Sequence, residues 1–177
     1  MGMANYRHYR NGLFCFFHIY GAIERTWSEL LNSPTTDHRS RTLLEALYDP
    51  RLRRHDALKA DLTYLHGPDG VFNPWSLDLP TPVTDGYAMY IEKSIGSKPY
   101  LLVAYAHQYY MALFAGGRIL ERKLLETTDF LPVWGPAADY GEALKYGSNL
   151  FQFPSTRARS RTSEQSFGRP CSWSKHI

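Results

Sequence analysis

The chain has little of what usually announces a function. Only two cysteines, Cys15 and Cys171, stand in 177 residues. They form neither a disulfide framework nor a metal-ligand spacing, so a reducing compartment is the expectation. No run is long and apolar enough to span a bilayer. Leu13–Ile23 follows Arg7 and Arg10 and imitates a secretion signal, but His18 and Tyr20 interrupt it. Met1-Gly2 is no myristoylation site, because Tyr6 stands where that signal needs Ser or Thr. A cytoplasmic location is therefore expected. Neither sign of charge dominates: the net charge is +3, which does not indicate a nucleic-acid partner. The chain has no phosphate loop and no local nucleophile–base motif. It also has no alternating apolar run between hairpin turns, which excludes a sheet and predicts an all-α fold.

What the chain does have is rings and helical periodicity. Aromatic residues make up 15%, including 13 tyrosines, enough for a ring-rich core or pocket. Phe16, Tyr20, Ile23, Trp27 and Leu30 recur at helical spacing and predict a helix over about Tyr6–Leu31, with Glu24, Arg25 and Glu29 toward water. Leu43, Leu44 and Leu47 predict a short helix ended by Asp49-Pro50. Leu58, Leu62 and Leu65 predict another over Leu52–His66, stopped by Gly67. Gly67–Gly86 reads as a loop. Tyr87, Tyr90, Ile91 and Ile95 resume the pattern up to Gly96, and Asp139–Lys145 suggests one more short helix. The cluster Arg51, Arg53 and Arg54 reads as a solvated face. From Arg157 apolar periodicity is lost, so the expected division is a helical domain over 1–154 and a basic, disordered tail over 155–177.

The most informative segment is Leu101–Leu120, extended to about Leu125. It reads as a buried helix begun by Pro99 in its first turn, yet it contains Gly116-Gly117. Each glycine inside a helix costs about 1 kcal/mol relative to alanine. Close approach of a flat ligand or of another backbone would offset that.

Three blocks, in order, then resemble the haem oxygenase family. The first is Phe16-Phe17-His18-Ile19-Tyr20-Gly21-Ala22-Ile23-Glu24. The second is Leu52-Arg53-Arg54, Ala57-Leu58, Asp61-Leu62 and Tyr64-Leu65-His66-Gly67. The third runs from Pro99-Tyr100 through Tyr110 to Gly116-Gly117. The resemblance covers about Tyr6 to Pro154. It implies an all-α fold and oxidative opening of haem to biliverdin, carbon monoxide and iron. The same resemblance implies O2 and electrons from a separate, NADPH-dependent reductase.

Site residues carried over by this resemblance are mixed. Tyr20, Tyr87 and Tyr110 fall where the family has a distal hydrogen-bond network; they also admit a reading as core aromatics with hydroxyls on backbone carbonyls. Gly116 and Gly117 match a Ser-Gly-Gly motif whose serine is Ala115 here. Ala112 replaces a distal glycine, and Leu113 stands where many members have an aspartate that orders a water for proton delivery. His107 is the histidine nearest the pocket side of the third block, a candidate at the haem or an ordinary helix histidine. The iron ligand stays unassigned. The family's axial histidine lies on a helix upstream of the His-Ile-Tyr block, and His8 and His18 belong to the following helix. Beyond Phe151-Gln152-Phe153-Pro154 the family's further helices are not matched.

The expectation is thus a haem oxygenase-like domain lacking the first helix and the C-terminal helices, with apolar surface exposed around Phe14, Phe16 and Phe17. Function divides between haem cleavage, a non-catalytic remnant that binds haem weakly or not at all, and a helical enzyme acting on another substrate.

Overall fold

The computed structural model describes residues 6–68, 81–127 and 130–153. The expected tail over 155–177 lies outside them. Among the described residues there are helices and turns and no strand. The helices are α1 (Tyr6–Asn32), α2 (His38–Leu47), α3 (His55–His66), α4 (Thr81–Ser97), α5 (Leu101–Ala112), α6 (Arg118–Glu126) and α7 (Tyr140–Gly147). A wide π-helical turn, Leu113–Gly117, joins α5 to α6 without a break. Short 3-10 turns span Pro50–Leu52 and Asn149–Phe151.

Local chemistry sets the ends of these helices. Asp37 caps α2 by accepting from the Ser40 N–H, and Asp139 caps α7 by accepting from the Glu142 N–H, both at 2.9 Å. Gly67 ends α3 at φ +81°, with the Trp134 ring 3.3 Å from where a Cβ would sit. No helix among the described residues is long and apolar enough to cross a membrane.

The long helix α1 is the centre of the domain, with α3 and α4 packed along it. Phe14, Tyr20, Ile23, Leu58, Leu62, Leu65, Ile91, Ile95 and Leu102 are all buried to within 1%. Each such side chain contributes about 1.5–3 kcal/mol of apolar burial.

Several expectations need correction. The segment read as loop up to Gly86 is helical from Thr81, with Pro82 in the first turn, where its missing N–H matters least. The helix expected from Leu52 begins at His55, after the separate turn at Pro50. Phe14 and Phe17 are buried and only Phe16 is exposed, because α1 has neighbours on two sides and buries more of its circumference than one stripe. Glu24, expected in water, has a side chain only 7% exposed. Arg54, expected on a solvated face, is 4% exposed. Both are drawn inward by backbone groups that need partners.

Candidate functional site

A cavity of about 270 Å³ lies between α1 and the π-helical turn. Its α1 wall is Tyr9, Gly12, Leu13, Phe16 and Tyr20, with His8 one turn before Gly12. The facing wall is Tyr109, Ala112, Leu113, Gly116, Gly117 and Leu120, and Leu150 with Phe151 closes one end. Apart from His8 and the phenols, these side chains are apolar. A Cβ built on Gly12 or on Gly116 would meet nothing within 4 Å. Both backbones are therefore bare where they border the cavity.

The paired glycines do different work. Gly116 leaves open space, whereas a Cβ on Gly117 would lie 3.1 Å from both Leu113 Cδ1 and Phe151 Cδ1. Gly117 lets Phe151 pack against the turn.

Phe151 is held there by two buried ionic groups of the α3 segment. Asp61 Oδ1 accepts from the Asn149 N–H at 2.7 Å and from Asn149 Nδ2 at 2.8 Å, and Oδ2 accepts from the Leu150 N–H at 2.8 Å. Arg54 donates to the carbonyls of Gln152 at 2.7 Å, Arg51 at 2.8 Å and Leu52 at 3.1 Å. Its guanidinium also lies 4.1 Å over the Phe153 ring. Burial pushes the Asp61 carboxyl up to about 7, against the pull of the Asn149 and Leu150 donors and of Arg54. Glu24, reaching from α1, accepts from the N–H groups of Arg54 and His55 and so caps the start of α3.

The tyrosines form a connected group. Tyr20 donates to the Tyr109 carbonyl at 2.9 Å, just before the helix widens into its π turn. Tyr109 donates to the Tyr87 hydroxyl at 3.2 Å. The rings of Tyr20 and Tyr110 lie 5.4 Å apart. Burial raises the phenols of Tyr20, Tyr109 and Tyr110 well above the ordinary range; the Glu24 carboxylate adds to this for Tyr20 and Tyr110, and the bond to Tyr87 for Tyr109. All three keep their protons at neutral pH.

Of the candidate residues, Tyr20, Ala112, Leu113, Gly116 and Gly117 line the cavity. Tyr110 is buried behind Tyr20, on the side of a separate, charged cavity bordered by Glu24, Arg25 and Arg53. Tyr87 is exposed on α4 and reaches the wall only through Tyr109. His107 is exposed on α5 and lies outside the lining. Leu113 turns an apolar side chain to the cavity, where the family resemblance expects a carboxylate. Sequence reasoning missed Tyr109, although Tyr109, Leu113 and Gly116 share the i, i+4, i+7 face of one helix. It also missed Tyr9, Gly12 and Leu13; the spacing Tyr9, Leu13, Phe16, Tyr20 carries the same signal. Nothing local pointed to Asp61 and Arg54 as the anchors of Phe151. Among the described residues no group of three or more His, Cys, Asp or Glu side chains suits a metal ion.

Comparisons with known proteins identify the family and the fold. The family described as "Heme oxygenase" matches residues 1–162. The chain is 28% identical over 153 residues to the heme-binding protein HMX1 of Saccharomyces cerevisiae, covering 82% of this chain and 48% of that protein. It is 30% identical over 141 residues to heme oxygenase 1 of Rattus norvegicus, covering 78% and 40%. A crystal structure of heme oxygenase-2 from Synechocystis sp. PCC 6803 in complex with heme and NO superimposes with a TM-score of 0.56 at 25% identity, over 82% of this chain and 50% of that one. The chain thus spans about half or less of the length of these relatives.

Proposed function

The chain belongs to the haem oxygenase family, and on that premise we propose that the cavity between α1 and the π turn takes haem as substrate and supports its oxidative opening to biliverdin, carbon monoxide and iron. The observation that carries this reading is the bare backbone of Gly12 and Gly116 on the border of one apolar cavity. A flat, apolar macrocycle suits such walls, because no Cβ stands between it and the helices. Bound haem supplies the redox chemistry with O2 and electrons from a separate, NADPH-dependent reductase. The same reading carries a cytoplasmic location.

The chain's own residues then have distinct tasks. Phe16, Leu113, Leu120 and Phe151 bind the porphyrin by apolar contact and keep water away from it. Arg54 and Asp61 hold the Phe151 wall at fixed distance from Gly117. Tyr20 is committed to the Tyr109 carbonyl and fixes the two walls relative to each other. The Tyr109–Tyr87 pair links the cavity lining to an exposed hydroxyl; with its bond reversed, Tyr87 donating to Tyr109, it would carry a proton to the wall in place of a carboxylate at Leu113.

Haemin titration of the chain, followed by reductant under air, tests this. The expected result is a saturable Soret change and then loss of the Soret band with biliverdin absorption. The second reading, haem binding without turnover, is favoured by apolar Leu113 in the lining. It would appear as saturable binding with no biliverdin. Absence of saturable binding would overturn both.

A further inference from the structure

The tyrosine hydroxyls around the cavity differ in where their protons can go. Tyr9 donates to the Gly147 carbonyl at 3.1 Å, and Tyr20 donates to the Tyr109 carbonyl at 2.9 Å. A carbonyl accepts such a bond but has no proton of its own to pass on. Tyr110, behind the lining, is buried with its hydroxyl bonded to Glu24. Of the three tyrosines in the described lining, Tyr109 is the one that donates to another hydroxyl, that of Tyr87 at 3.2 Å. Tyr87 is exposed. Its hydroxyl can therefore hand a proton to water as it accepts one from Tyr109.

The rings follow the same line. Tyr20 and Tyr109 stand 6.1 Å apart at the cavity. Tyr87 and Tyr90, three residues apart on one face of α4, stack with their centroids 6.5 Å apart and their planes 15° from parallel. Both separations are those of rings in contact. Tyr90 is 61% exposed, so core packing does not account for the outer end of the array. A series of phenols thus runs from the cavity wall to the surface, with an outward-directed hydrogen bond at its half-buried step. One-electron oxidation of a phenol has this requirement, because the hydroxyl proton must leave when the electron does. Burial, ahead of the bond to Tyr87, holds the Tyr109 phenol above its ordinary range, so it does not ionise beforehand.

We propose, on the haem reading above, that Tyr109, Tyr87 and Tyr90 carry electrons from the surface to haem in the cavity, and that the loaded chain couples reduction of a peroxide to one-electron oxidation of phenols at Tyr90. Hydrogen peroxide takes up two electrons and two protons and becomes two waters. Two phenols each give up one electron and one hydroxyl proton, which balances that uptake. The electrons pass inward along the three rings, and the Tyr109 proton leaves by way of Tyr87. Two phenoxyl radicals then form one carbon–carbon bond between their rings, and the displaced ring hydrogens restore both hydroxyls. Where both radicals are Tyr90 of separate copies, the product is a dityrosine-linked dimer. A small phenol in solution is oxidised by the Tyr90 radical in the same one-electron, one-proton step.

The test uses the whole chain loaded with haemin and given hydrogen peroxide without reductant. Freeze-quenched samples are read by electron paramagnetic resonance. Products are read by dityrosine fluorescence, denaturing gels and mass mapping of the linked peptides. Wild type is expected to show a tyrosyl signal and a dimer linked through Tyr90, and added p-cresol should suppress the dimer as it is consumed. Tyr90→Phe should lose that link and keep a tyrosyl signal. Tyr87→Phe, compared at equal haem loading, should also lose the Tyr90 link although Tyr90 is intact, a loss that a merely structural role would not produce. Tyr100→Phe, at an exposed tyrosine outside the array, should leave the link unchanged. Circular dichroism confirms that each variant is folded. An undiminished Tyr90 link in Tyr87→Phe, or links mapped chiefly to other tyrosines, would overturn the proposed path. Saturable haem binding with neither radical nor dimer would overturn the proposal and leave the haem reading standing. Failure of the wild type to bind haem saturably would overturn both.

Discussion

Gly12 and Gly21 stand on the same helix, nine residues apart, on two seams of opposite character. At Gly21 the place of a Cβ is taken. The His55 ring lies where a side chain would go, with Cδ2 2.9 Å from an ideal Cβ, and it stacks on Phe17. Around it Glu24 and Arg54 are buried and bonded to backbone groups that would otherwise be unpaired. At Gly12 the seam is empty. The space beside it is open, its neighbours are apolar, and Gly116 across the cavity is equally bare. A glycine filled by a neighbouring ring serves packing. A glycine facing empty apolar space, opposite another, suits the ligand proposed for the cavity. On the proposed function, this contrast separates the packed side of α1 from its ligand-facing side.

The largest effect is expected at the buried carboxyl that holds the Asn149 turn beside the open cavity. Asp61→Ala strands the N–H groups of Asn149 and Leu150 and is expected to destabilise the fold by about 3 kcal/mol, read from urea denaturation. The loss should also weaken haem binding, since the same turn carries Phe151. A native-like midpoint for Asp61→Ala would mean that the turn is held by packing alone.

Asp61 also predicts a pH dependence. Its folded carboxyl titrates at about 7, above its unfolded value of 3.8. The folded state therefore keeps a proton that the unfolded chain has released. The stabilisation from this group is complete below about pH 4 and is lost as pH rises through about 7. Between about pH 5 and about pH 8, wild type should lose stability relative to Asp61→Asn, which has no such proton. Parallel profiles of the two proteins would contradict the raised value.

The glycines sharpen the comparison directly. Gly21→Ala should destabilise by about 1–3 kcal/mol, because the added methyl meets the His55 ring. Gly12→Ala should instead stabilise by up to about 1 kcal/mol through helix propensity while weakening haem binding. Opposite signs in thermal melts, with haem affinity falling only in Gly12→Ala, are the expected pattern. Equal destabilisation in both would erase the distinction between the seams.

The smallest effect lies at the exposed edge of α1. Arg25 pairs with Glu92 across α1 and α4, but the Arg25 side chain is 60% exposed. Arg25→Ala should change stability by less than about 1 kcal/mol, an effect that salt screens further.

Much of this protein was legible without its structure. Helical spacing marked α1 within a residue at its C-terminal end, and Gly67 marked the stop of α3. The adjacent glycines marked the cavity wall, because two such residues inside an apolar helix require an offsetting contact. The start of α4 was not legible. Pro82 and Gly86 read as loop residues, and only the burial of Ala88, Ile91 and Ile95 against the core overrides their propensity. The inward turn of Glu24 and Arg54 was hidden for a related reason. Charged residues are placed in water by default, and only backbone groups brought from distant segments reverse that choice.

The sequence by itself determined the all-α class, the central helix and the π-turn glycines, since these follow from local periodicity and from backbone sterics. Tertiary structure alone decided which glycine is filled and which is open. It also chose which histidine borders the cavity and which carboxylate is buried at the Asn149 turn. Those outcomes depend on what residues 30, 90 or 140 positions away bring to the same place, and no local spacing encodes such meetings.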